Sequence, residues 1–279
     1  LDILVIMAHP DDAELSCSGT IISSVKMGMK VGIIDLTKGE LGTRGNEKIR
    51  INYLNSLEAL TNSIGNRSGM IINTPYKHLA DIKKLMMVGY NPGGVPSEVM
   101  TSISEDFKRH LDDFSFNALE ETWGDHIEGA HPIQRLYQDL INNTELEKKD
   151  IFQTNVYWQR SVSTDKLRID PELEKNCKKG FFLNIETHRP KSILFLGHQA
   201  AEVAQDWSDM TLPIGRIFYP WGNNQSIRLY SMKFNGYRVK AFSIPHPSRF
   251  AHGDNQDRFR AILEAAIKSD IQLLGEEHE

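Results

Sequence analysis

Cysteine is nearly absent from this chain: Cys17 and Cys177 are the two among 279 residues. A disulfide framework or a Cys-rich zinc module is excluded on that count, and a cytoplasmic location is the default expectation. No apolar run approaches the ~20 residues that a membrane-spanning helix needs, so no membrane partner is expected. The opening run "LDILVIMAHPDD" is too short, and too acidic at its exit, for a signal peptide. Basic excess is lacking too. The net charge of −5 argues against a nucleic-acid-coating surface. Internal repeats and low-complexity tracts are missing. What is present is ordinary globular material, 40% hydrophobic and 25% charged. At roughly 150 residues per domain it fills one large domain or two small ones.

Strands alternate with helices along the chain. Residues 2–8 and 31–36 are short β-rich apolar runs, and between them Leu15, Gly19, Ile22 and Val25 recur at helical spacing, with Gly28 placed to end the helix. This is a β-α-β unit of a parallel sheet. A helix follows at 51–64, and a second set of strands begins near residue 84, with further strands at 151–157, 192–197 and 238–244. Helical patterns cover about 98–112, 131–143, 172–188 and 199–207, and 257–274 forms an amphipathic terminal helix. The expected fold is α/β: a three-layer α/β/α domain with a parallel sheet, preceded by a truncated Rossmann-like β-α-β segment. In such sheets chemistry gathers at the carboxyl ends of strands, so each strand exit is a place to look.

The first exit carries His9, Asp11 and Asp12. A His and a carboxylate two residues apart suit a cation such as zinc, and a second carboxylate beside them suits a general base. The competing reading is a turn in which Asp caps the next helix. The stretches "AHPDDAELSCSGT" and "LTKGELGTRG" resemble the start of the zinc-dependent N-acetylglucosaminyl deacetylases, over about residues 1–50. The resemblance implies that His9 and Asp12 bind Zn2+, that Asp11 is the base, and that Arg44 helps hold a sugar-conjugate substrate. It also implies a later His-Pro-Asp-His segment carrying a third ligand, which this sequence lacks. "GAHPIQR" and "IPHPSRF" diverge after His131-Pro132 and His246-Pro247, leaving His126 or His131 to be recruited in space.

The later exits carry a different set. "GYNPGG" places Asn91 among glycines, where a ligand can approach the backbone. Asn155 has both a donor and an acceptor for reading an amide-like edge. His246 and Ser248 suit an oxyanion and a phosphate. Each has a structural alternative: a common turn, a buried polar group satisfying backbone, a histidine fixed between prolines. In this order, "GYNPGG", "PKSILFLGHQAAE" and "HPSR" resemble the uracil-DNA glycosylase superfamily over roughly residues 55–270. That resemblance implies that Asn91 positions the attacking water, that Asn155, with Gly89 and Tyr90, holds the base, that His246 stabilises the departing anion, and that Ser248 binds a DNA phosphate. Tyr90, Phe107, Phe114 and Phe116 are candidates for the aromatic that stacks on the base. Arg249 and Phe250 stand where many members have a Pro-Leu wedge.

These readings lead to an expected fusion: a deacetylase-like fragment at 1–50 joined to a glycosylase-like domain at 55–279. The main expectation is a hydrolase cleaving the N-glycosidic bond of an extruded base in single-stranded or mismatched DNA, without a cofactor. The alternatives are a zinc-dependent deacetylase of an N-acetylglucosamine conjugate, such as N-acetylglucosaminyl malate, and a non-catalytic nucleic-acid-binding module.

Overall fold

A computed structural model describes residues 1–7, 12–35, 47–79, 81–94, 101–123, 128–218 and 226–249. Contacts divide the chain into two compact units, Leu1–Asn52 and Tyr53–Glu279. The terminal helix expected at 257–274 lies outside the described residues.

In the first unit, β1 (Ile3–Met7) and β2 (Val31–Asp35) pair in parallel, from Ile3↔Val31 to Met7↔Asp35. They are joined by α1 (Asp12–Lys26), which is broken at Cys17 by non-helical backbone. Gly28 ends the helix as expected. At φ 84° it adopts a left-handed conformation, and the N–H groups of Gly28 and Met29 bond back to the carbonyls of Val25 and Ser24. This is the Schellman arrangement, which satisfies carbonyls that the helix end would otherwise orphan. The Asp2 carboxylate accepts the Lys30 N–H at 2.7 Å and fixes where the strand pair starts. Helix α2 (Glu47–Thr61) runs across the division between the units.

The second unit is a six-stranded sheet of β3 (Leu85–Gly89), β4 (Ile151–Asn155), β5 (Ser192–Leu196), β6 (Met210–Phe218), β7 (Ser226–Phe234) and β8 (Tyr237–Ile244). Their order is β4-β3-β5-β8-β7-β6. The first four run parallel. β3 is buried along its whole length, the reason it reads as a continuous apolar run. Its side chains alternate between two cores. Met86 and Val88 join Leu57, Phe107, Phe181, Ala200 and Ala204 on one face. Leu85 and Met87 join Leu136, Tyr137 and Leu140 on the other. Helices α3 (Ile103–Asp112), α5 (Pro171–His188) and α6 (His198–Trp207) thus supply the first layer, and α4 (Pro132–Asn143) the opposite one. The result is the expected three-layer α/β/α arrangement.

The helix starts follow local rules. Ser102 and Glu105 form a capping box on α3. The Asp170 carboxylate accepts from the N–H groups of Glu172 and Leu173 at the start of α5, with Pro171 in the first turn.

The sheet departs from expectation at one edge, where it is mixed rather than parallel. β6 and β7 form an antiparallel pair, and β7 pairs antiparallel with β8. The β7–β8 turn is Asn235-Gly236, with φ 45° and 83°, the two positive values that a two-residue hairpin of the right twist demands.

Candidate functional site

The first candidate lies at the exit of β1. The strand ends at Met7 and α1 begins at Asp12, so "AHPDD" spans a strand-to-helix junction at the carboxyl end of a parallel strand. This is where an open parallel sheet presents catalytic groups. His9 and Asp11 fall outside the described residues, as do Arg44 and His126; Asp12 is placed as the first residue of α1. Among the described residues no three His, Cys, Asp or Glu side chains gather as a metal centre. A histidine nitrogen with carboxylate oxygens is nonetheless a donor set that zinc accepts.

His131 has another role in its own unit. It caps α4: its Nδ1 accepts the Ile133 N–H at 3.3 Å, and its ring lies 5.1 Å from that of Trp123. With Gln134 it completes a capping box.

The second candidate lies at the carboxyl ends of β4, β3, β5 and β8. Register aligns Asn155, Gly89, Leu196 and Ile244 in one row across the sheet. Asn91, His198 and His246 follow from the exits beside it. The Asn91 amide is committed to tying its own loop to the segment after β4. Its Nδ2 donates to Ser161 Oγ at 2.8 Å, to Pro92 O at 3.0 Å and to Gln159 O at 3.2 Å. The Asn155 carboxamide lies over Gly89, in the space that a side chain there would fill. His246 Nδ1 and Ser248 Oγ are 2.7 Å apart, and the His246 ring sits beside Gly197. Tyr90 meets Tyr157 edge-on at 5.4 Å. The other aromatic candidates sit around Tyr76 and His110: Phe107 and Phe114 pack on Tyr76, and Phe116 packs on His110. Of Arg249, only its place in a final helical turn is described, and Phe250 lies outside the described residues.

Sequence reasoning missed a third group on the same sheet. His198 opens α6, and its Nδ1 lies 2.8 Å from Ser243 Oγ on β8. Burial, with the charges of Arg228 and Arg216, holds its pKa down at about 4, so the imidazole is neutral near pH 7. Ser243 is fully buried, which keeps it from acting as an exposed nucleophile. Arg228 and Arg216 stand directly opposite each other on β7 and β6. The signal that would have revealed them is the Asn-Gly hairpin turn, which sets the register bringing Arg228 beside Ser243.

A family model described as GlcNAc-PI de-N-acetylase (PIG-L) matches residues 4–83. That span holds β1, the "HPDD" motif, α1, β2 and α2, and it reaches further than the 1–50 expected from motifs. The match supports a hydrolase of the deacetylase type and overturns the expectation of a DNA glycosylase, together with the DNA partner and repair role that went with it. The local geometry gives a physical reason why the motif reading misled. "GYNPGG" makes a turn whose Asn ties down the loop after β4, and "HPSR" closes a short helical turn on its own histidine. No described helix is long and apolar enough to cross a membrane.

Proposed function

We propose that the protein is a zinc-dependent N-deacetylase acting on an N-acetylglucosamine conjugate, with its chemistry at the exit of β1. The observation that carries this reading is the family match over residues 4–83, which encloses a strand exit where a histidine and two carboxylates stand within four residues. His9 and Asp12 would hold the zinc. When bound, zinc polarises the acetamide carbonyl and lowers the pKa of a bound water. Asp11 takes the proton from the attacking water and passes it to the departing amine, so that amide and water become acetate and a free glucosamine amine. Arg44, in the glycine-punctuated stretch "TKGELGTRG" of the sequence, would hold the conjugate's polar portion.

The test is acetate release from N-acetylglucosaminyl malate, measured alongside zinc content by elemental analysis. Chelator-sensitive release, abolished by Asp11→Asn and accompanied by zinc loss in His9→Ala, is the expected result. Full-chain protein that retains zinc in His9→Ala, or that releases no acetate when loaded with zinc, would overturn the reading.

A further inference from the structure

One row of residues crosses the sheet at Phe195 on β5, Ser243 on β8, Arg228 on β7 and Arg216 on β6. Register partners in a sheet present their side chains to the same face. Two positions along β7 from Arg228, on that face, comes Tyr230, and Tyr230, Met232 and Phe234 join the core shared with α5 and α6. His198, at the start of α6, reaches the same row through Ser243. His198 and Arg228, the latter in contact with Glu202 of α6, therefore border the same row, with Arg216 beside Arg228 on the neighbouring strand.

This gathering is unbalanced. Like charges directly opposite on paired strands repel. Among the described residues the carboxylate paired with Arg228 is Glu202 on α6, 3.4 Å away and itself 59% exposed. Arg216 is exposed and has no partner among the described residues. The Arg228 Nε–H is buried and makes no hydrogen bond among the described residues, although a guanidinium N–H left unpaired away from water is costly. Burial first, and then the charges of Arg228 and Arg216, disfavour the protonated form of His198. Gly197, the residue ahead of α6, offers no side chain to cap the helix. The positive end of the helix thus adds to the same field.

We propose that Arg216, Arg228 and His198 form a binding site for the phosphate group of a small phosphomonoester. Two guanidinium forks match the several oxygens of a dianion better than the two of one carboxylate. The exposure of Arg216, and the 30% exposure of the Arg228 side chain, leave the site open to a small ligand. Glu202 competes with that ligand for Arg228. The site rests on residues of the second unit and is independent of the deacetylase reading.

The experiment is titration of the full chain with inorganic phosphate at constant ionic strength, followed by calorimetry, with malate and chloride as parallel titrants. Saturable phosphate binding is expected, with a Kd on the order of 1 mM or tighter. Arg216→Ala should weaken it about tenfold or more, as expected for loss of a charge-assisted bidentate contact. Glu202→Gln should tighten it severalfold, a gain that a merely structural role for these residues would not produce. Absence of saturable phosphate binding overturns the proposal. So does wild-type affinity in Arg216→Ala, weaker binding in Glu202→Gln, or malate binding as tight as phosphate.

Discussion

Replacing His188 with Gln should flatten the acid side of the stability profile, and replacing Asp106 with Asn should steepen it. His188 is fully buried. It stacks on Phe152 at 4.3 Å and meets Tyr53 edge-on at 5.0 Å. Burial, and then the charge of Lys83, holds its pKa at about 3. Burial holds His110 at about 4, and burial with the two arginines holds His198 at about 4. Each of these histidines takes up a proton near pH 6.5 in the unfolded chain and refuses it in the native one. Their contribution is complete above pH 6.5 and is lost as pH falls through that range. Asp106 works in the opposite direction. Burial raises its carboxyl to about 7, partly offset by the Ile71 N–H that it accepts at 3.2 Å. Between about pH 4.5 and about pH 6 the native chain holds that proton while the unfolded chain has lost it. Three protons favour the unfolded side and one the native side, a net of two. These four groups together therefore make stability rise by about 3 kcal/mol per pH unit across the window.

His188→Gln removes one proton from the difference, so the slope should fall by about 1.4 kcal/mol per pH unit. Asp106→Asn keeps an acceptor for Ile71 and should raise the slope by about the same amount. Over the window each variant diverges from wild type by about 2 kcal/mol. Equilibrium urea unfolding at several pH values between those limits reads this directly. The slope rather than the intercept is the measured quantity, so a general loss of packing in either variant does not confuse it. Parallel profiles for wild type and His188→Gln would refute the argument that a buried neutral histidine governs acid stability here.

Gly180→Ala tests a close approach. A Cβ at Gly180 would enter the indole ring of Trp158, itself 1% exposed, so a cost of about 1–3 kcal/mol in thermal or urea unfolding is expected; a neutral result would mean that α5 and the ring can move apart freely. Glu174→Ala strips one carboxylate from two donors, Tyr157 OH and Trp207 Nε1, each 2.6 Å away. A loss of about 2–4 kcal/mol is expected, with Glu174→Gln losing less because it keeps one acceptor; equal losses in the two would refute the account.

Where the sequence could be read, the signal was local. β3, β4 and β5 are buried along their whole length, and β3 and β5 read as nearly continuous apolar runs. The ends of α1, α3 and α5 are marked by Gly28, Ser102 and Asp170, within a turn of the helices they bound. β7 went unread because it mixes core with half-exposed positions, and β6 because its described side chains are half-exposed or exposed; no continuous apolar run announces either. The Asn235-Gly236 turn was the usable cue. Side-chain partnerships were the hardest to read. Asn91 meets Ser161 across 70 residues of chain, and His198 meets Ser243 across 45. Strand register and loop course create such pairs, and neither is written at the residues concerned. A motif such as "GYNPGG" therefore fixed a turn in the sequence reading without fixing what its asparagine does.

The same distinction bears on how the chain divides. Contacts separate it after Asn52, whereas the family match continues to residue 83. The residues between these limits are not a linker. Tyr53, Leu57, Ile64, Ile71 and Ile72 are buried in the core of the second unit. The Ile71 N–H bonds to Asp106, and the Ile71 carbonyl accepts from Thr154 on β4 at 2.6 Å. A stretch matched to a deacetylase family therefore supplies part of the hydrophobic core beneath the larger sheet. α2 is one continuous helix through the first of these limits, at Asn52. Truncation after Asn52 would cut that helix and leave the matched span incomplete, and removal of residues 1–83 would strip the larger unit of these core side chains and of Leu54, Tyr76 and Leu79 as well. The segment that matches a family and the segment that folds as a body end at different residues. The chemistry proposed at the exit of β1 is thus tied by sequence to a core that serves the larger sheet.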